Sequence, residues 1–371
     1  MKSTRELTNL LVAMAALLLL PASVQAEDSR AEKTMIKAWQ SFNRGEYRLA
    51  ESLLIRSTRL SQKSPEEKEQ FATSLCNRAT VMSERGDYGS AEPLFKEALR
   101  IYRELHEEDH PYIAVLLNNL AVLYYRAGRY QEAKPLYQDV LKRSRSRLGD
   151  EHPALAINHN NLAALYSKLE NYPGAIEHLQ ASLAIHRKSV GTMHPAYASS
   201  LNNLGAVYFL MGRYDKCDPL YEEALSIRQD TLPDSHPDIA LSYNNLARLR
   251  YAQKRFEESA LLFKKALAIR KSCFGKRNTL IAVTLNGQAE LYLSMKNYKK
   301  ADKLFREALA MREQLLGEEH ADVAESLLGR ARVQTALGKP AIAAIFTNRA
   351  LLIKKKIHDQ DHLAIIAHSG D

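Results

Sequence analysis

Residues 110–151 read HPYIAVLLNNLAVLYYRAGRYQEAKPLYQDVLKRSRSRLGDE, and at His152 the same phrase begins again. The dipeptide His-Pro stands at His110, His152, His194 and His236, always 42 residues apart, and the same step lands on Asn278, His320 and His362. The interior of the phrase keeps the step. Asn118-Asn119 recurs as Asn160-Asn161, Asn202-Asn203 and Asn244-Asn245. An aromatic recurs at Tyr88, Tyr130, Tyr172, Tyr214, Phe256 and Tyr298, and a small residue at Ala91, Ala133, Ala175, Cys217, Ser259, Ala301 and Ala343. Further back, Gly45, Tyr47 and Ala50 match Gly86, Tyr88 and Ala91 with a step of 41. A register held without insertion marks a repeat array. Eight units fit, near residues 31–62, 68–103, 110–145, 152–187, 194–229, 236–271, 278–313 and 320–355.

Each unit holds two helices. In residues 110–145, Leu117, Leu120, Ala121 and Tyr124 fall at helical spacing on one face. Gly128 breaks that helix, and a second stripe follows at Ala133, Leu136, Tyr137, Val140 and Leu141. Cations from Lys142 to Arg147 and then Gly149 close the second helix, as its dipole and C-terminal geometry favour. Neither helix can bury its stripe alone, so the units must stack. Pro after each His suits a first helical turn, where the missing N–H costs nothing, and the His suits the cap. A metal role for the His series conflicts with spacing: equivalent positions on stacked helices lie about 8–10 Å apart, and zinc needs ligands at about 2 Å.

This pattern resembles the tetratricopeptide repeat, in the 42-residue variant of kinesin light chains and many bacterial repeat proteins. The Leu, small residue and Tyr of the first helix carry the resemblance, with the Ala, aromatic and small residue of the second and the Leu-Asn-Asn-Leu core. It implies an all-α fold, an α-solenoid of about eight helix-turn-helix repeats wound as a right-handed superhelix, whose first helices line a concave groove. In that family peptides lie extended in the groove, with side-chain amides bonding their backbone. The end units depart from the pattern: Met35-Ile36 replaces Asn-Asn in the first, and Leu328-Gly329 in the last, where Pro340 takes the turn-aromatic position. Residues 357–371 read as a C-terminal capping stub, with His362 to His368 as the start of a ninth first helix.

The expected groove residues follow from the helical wheel. Asn118, Asn119, Tyr125 and Arg126 point away from the core stripe, as do Asn160, Asn161, Lys168, Asn202, Asn203, Asn244, Asn245, Arg248 and Tyr251 in their repeats. An amide donates and accepts at once, and so reads a backbone regardless of sequence. The competing reading is that about half of these Asn bond across to the next repeat and hold the stack. Arg126, Lys168 and Arg248 make the middle of the face basic, with Glu84 and Glu290 towards its ends, which suits another protein or an extended acidic peptide. A carboxylate-clamp spacing of Lys and Asn on neighbouring first helices is absent.

Residues 1–26 read as a signal peptide, with Lys2 and Arg5, an unbroken apolar run from Leu10 to Leu20, Pro21, and Val24-Gln25-Ala26 before the cleavage point. The run is shorter than the roughly 20 residues a membrane span needs, although an uncleaved anchor is the other reading. Residues 27–371 are then an exported, periplasmic or secreted solenoid without an integral membrane segment. The chain carries 52 Lys and Arg against 43 Asp and Glu, a net charge of +9. Those charges are interspersed, as on solvated helix faces, and call for no nucleic-acid partner. Cys76, Cys217 and Cys273 are odd in number and form no CxxC, so no complete disulfide framework is expected. Phosphate-binding glycine loops, GxSxG and HExxH are absent. The sequence therefore points to a protein-binding scaffold without catalytic residue, metal or cofactor. The alternative is an assembly protein of the cell envelope, acting through its outer face or ends.

Overall fold

The computed structural model describes residues 30–44, 46–60 and 68–368. The expected signal peptide lies outside the described residues. Among them are sixteen helices and no strand. The chain divides into two compact units at Ile185/His186.

The first unit contains α1 (Arg30–Asn43), α2 (Tyr47–Leu60), α3 (Lys68–Glu84), α4 (Tyr88–Leu105), α5 (Pro111–Arg126), α6 (Tyr130–Leu148), α7 (Pro153–Lys168) and most of α8 (Tyr172–Ser189). The second contains α9 (Pro195–Leu210), α10 (Tyr214–Thr231), α11 (Pro237–Ala252), α12 (Phe256–Phe274), α13 (Thr279–Ser294), α14 (Tyr298–Leu316), α15 (Ala321–Ala336) and α16 (Pro340–His368). In both units the two helices of a repeat pack on each other, and the second helix packs on the first helix of the following repeat.

The caps follow the repeat. His110, His152, His194, His236 and His320 each accept, through Nδ1, the backbone N–H two residues on, at 3.1–3.4 Å. Asn278 does the same with its side-chain oxygen at 2.8 Å. From the second repeat on, a tight turn joins the helices at a left-handed residue, as at Gly128 (φ 81°). The same position holds Glu170, Lys254 and Lys296 at φ 58–62°, a conformation that costs a side-chain-bearing residue about 1–2 kcal/mol.

The predicted core stripes are buried: Leu117, Leu120, Ala121 and Tyr124 on α5 meet Ala133, Tyr137 and Val140 on α6. In the second unit Cys217 and Tyr221 on α10 pack with Leu246 and Leu249 on α11. Cys273 lies in the last turn of α12. One local expectation changes. Residues 357–368 do not start a ninth first helix but continue α16, because nothing between Ala341 and Ser369 is Gly or Pro to stop it.

Candidate functional site

The first helices carry the residues expected to line a groove, and burial divides them. Asn118, Arg126, Lys168, Arg248 and Tyr251 are half-buried, whereas Asn119, Tyr125, Asn160, Asn161, Asn202, Asn203, Asn244 and Asn245 are buried. The expectation that the second Asn of each pair stands on a solvated face is therefore corrected. A first helix inside a stack is covered on two sides, so the slot one residue past Asn118 faces the preceding repeat.

That slot builds a ladder between repeats. Asn161 Nδ2 donates to Asn118 Oδ1 at 2.9 Å, and Asn245 Nδ2 to Asn202 Oδ1 at 2.8 Å. Towards the N-terminus the acceptors are sulfur: Asn119 donates to Cys76 Sγ and Asn77 to Met35 Sδ, both at 3.4 Å. Burial pushes the Cys76 thiol up to about 12, so it stays a neutral packing group.

The charged rim is largely self-neutralised. Arg126 forms a 2.6 Å ion pair with Glu84, one repeat earlier, and Arg332 pairs with Glu290 across the same step. The Arg248 guanidinium lies 5.9 Å over the Phe209 ring, and the hydroxyls of Tyr251 and Ser294 are 2.8 Å apart. Beside the amides runs an apolar row. Val115 on α5 and Ile157 on α7 belong to the first unit, and Ile157 is 43% exposed. Leu241 on α11 and Val283 on α13 are their half-buried counterparts in the second. Two shallow recesses open along the early first helices. One is lined by Thr80, Ser83, Glu84, Phe95, Asn119 and Val122. The other lies beside Trp39, Phe42 and Asn77.

Sequence reasoning missed two polar devices. Arg228, Arg270 and Arg312 are 1% exposed and lie 42 residues apart. Each donates to a carbonyl ten residues on, Asp238, Leu280 or Asp322, and to a hydroxyl fourteen on, Ser242, Thr284 or Ser326. His186 holds the same slot and meets Ser200 Oγ at 3.1 Å. The joint recurrence of Arg with Ser or Thr fourteen residues later was the available signal. The second device is a pair of imidazoles, His159 and His178, with their Nδ1 atoms 2.9 Å apart. Only folding brings these two together, and no motif announces them.

Among the described residues no group of three or more His, Cys, Asp or Glu is placed to hold a metal ion, and no helix is long and apolar enough to cross a membrane. The tetratricopeptide repeat pattern matches residues 41–104, 70–146, 112–188, 196–272 and 280–356. No curated protein matches the chain. Among solved structures, BtubC (BKLC) from P. vanneervenii is 26% identical, over 68% of this chain and 95% of that one, with a TM-score of 0.48. Aspartyl phosphate phosphatase F from Bacillus subtilis is 13% identical over 95% of each chain, with a TM-score of 0.59. A Rap protein complexed with Competence and Sporulation Factor is 14% identical, over 90% of this chain and 100% of that one, with a TM-score of 0.54.

Proposed function

The chain belongs to the tetratricopeptide repeat family, and from that premise we propose that it is a binding scaffold that takes another polypeptide, in extended form, across its first helices. Its role is recognition rather than catalysis. The observation that carries this reading is Ile157, a large aliphatic side chain 43% exposed on a first helix, in a row with Val115 and beside the half-buried amide of Asn118. An apolar row next to amides matches what an extended chain offers, side chains beside a backbone. Neighbouring first helices lie about 8–10 Å apart, and an extended chain rises about 3.3 Å per residue, so one repeat meets roughly every third residue of a partner. Arg126 is paired with Glu84 within the chain, so apolar side chains and backbone select the partner more than acidity does.

The test uses peptides of about 20 residues, roughly 65 Å when extended, selected on the purified protein from a random display library. Ile157→Asp and Leu241→Asp, one in each unit, are each expected to weaken binders on their own unit at least about tenfold, the scale of losing one buried apolar contact, with unchanged melting temperatures. Binders that tolerate both changes would place recognition elsewhere and favour the assembly role through the outer face or ends.

A further inference from the structure

The last helix, α16, turns an apolar face to solvent. Ile342, Ile345, Leu351 and Leu352 are 42%, 65%, 55% and 61% exposed, and Ala341 and Ala344 beside them are exposed too. The repeat does not call for these side chains. Ile342 takes the slot of Glu132, Lys216, Glu258 and Lys300, and Leu352 that of Ala184, Ala268 and Ala310. Cations bracket the face: Lys339 stands exposed before it, and Lys354, Lys355 and Lys356 stand exposed after it. Glu319 is engaged by Lys356, and Glu313 and Glu318 by Arg349. Lys339, Lys354 and Lys355 form no ion pair among the described residues. A contiguous apolar patch with a charged border marks a protein or membrane contact.

We infer that this face meets a membrane: α16 lies in the plane of a bilayer with anionic headgroups, its apolar side chains at the headgroup–acyl boundary and its lysines among the headgroups. A cationic helix with an apolar face binds such a boundary through buried apolar area and attraction to anionic lipid together. Charge disfavours a second copy as the occupant. Antiparallel pairing of α16 about Asn348 would set Lys339 against Lys354 to Lys356, and α1 of another copy would add the exposed Lys33 and Lys37. Width disfavours a single partner helix. At about 100° per residue the exposed apolar residues run from Leu351 round to Ile342, about half the circumference, whereas a two-helix seam is a narrow stripe. Asn348, exposed in the middle of the face, sets a shallow depth, since an amide is costly in hydrocarbon and satisfied among headgroups. Among the described residues no helix is long and apolar enough to cross a membrane, so α16 lies on the bilayer rather than through it. α16 is a second helix, and this contact is separate from the first helices of the proposed groove.

Trp39 is the only tryptophan of the chain, so Leu352→Trp in a Trp39→Phe background makes α16 the source of indole emission. Vesicles of phosphatidylcholine and phosphatidylglycerol in equal parts should shift that emission to the blue, and vesicles of phosphatidylcholine alone should do so far less. In co-sedimentation with the mixed vesicles, Ile345→Asp with Leu351→Asp should weaken binding at least about tenfold, the scale of losing one buried apolar side chain. Lys354→Gln with Lys355→Gln should weaken it about fivefold for each lysine. All four positions are exposed, so melting temperatures should stay unchanged. Three results would overturn the inference. Unchanged emission with the mixed vesicles means that α16 does not meet the bilayer, even where another segment of the chain binds it. Equal binding to both kinds of vesicle, with the lysine changes silent, means that anionic headgroups are not what the face selects. A concentration-dependent dimer that Leu351→Asp splits, with no emission shift on vesicles, means that a second copy covers the face.

Discussion

At the scale of single residues, the repeated Asn pair splits into two roles that one residue type conceals. The slot of Asn161 and Asn245 donates, and the slot of Asn118 and Asn202 accepts. Removing an acceptor orphans a buried donor, which costs about 1–3 kcal/mol. Asn202→Ala should therefore lower the denaturation midpoint of the second unit, by about 2–4 °C per kcal/mol for a unit of this size. Unchanged melting would mean that the Asn245–Asn202 bond contributes nothing. The buried arginines follow the same logic with larger stakes. Arg228 is held by the carbonyl of Asp238 and the hydroxyls of Ser242 and Ser199 rather than by a carboxylate, and burial pulls its guanidinium below the usual range. It works as a multi-armed donor that ties α10 to α11.

At the scale of the helix pair, the turn and the packed face make separate predictions. Lys254 adopts the left-handed conformation that Gly128 adopts in the equivalent turn. Lys254→Gly relieves a penalty of about 1–2 kcal/mol and returns about 0.5–1 kcal/mol through the more flexible unfolded chain. A net gain of about 0.5–1 kcal/mol is expected in urea titrations, and a loss would show that the Lys254 side chain contributes contacts of its own. Between α7 and α8, burial, then His178 and Arg145, push His159 down to about 4, and burial lowers His178 although Glu177 opposes it. Tyr166, under Lys134 of α6, stacks on His178. A histidine whose folded value is depressed binds fewer protons folded than unfolded. Its contribution is thus complete above pH about 6.5 and is lost as the pH falls towards about 4. For His159 this amounts to on the order of 3 kcal/mol. His159→Phe should flatten the acid limb of a stability profile between pH 4 and 6.5; an unchanged slope would assign that limb to other groups.

At the scale of the whole molecule, repetition sets stability while the ends differ from the interior. The slot filled by Val81, Leu123 and Leu165 holds exposed Gln40 in α1, and Lys33 and Lys37 beside it are exposed, so the first helix turns a polar edge to solvent as terminal repeats do. At the other end Leu351 is 55% exposed, where its counterpart Leu309, covered by the next repeat, is 6%. We further propose that the protein is exported and that cleavage follows Ala26. Sequencing of the mature N-terminus should begin at Glu27, and a purified native protein that still begins at Met1 would refute this.

The 42-residue step by itself determined the helix pairs, the His caps and the core stripes, because each depends on spacing along one chain. Helical periodicity tells which residues point together, but a residue inside a stack has neighbours on two sides, and a single helix carries no record of the second. Only the tertiary structure therefore decided that Asn119, Asn161 and Asn245 face the preceding repeat, and that Arg126 is neutralised by Glu84. The same holds for His159 and His178, which share no repeat position and meet only because α7 and α8 fold against each other. Contacts between elements depend on distance in space, which spacing in sequence fixes for the repeating positions and leaves open for the rest.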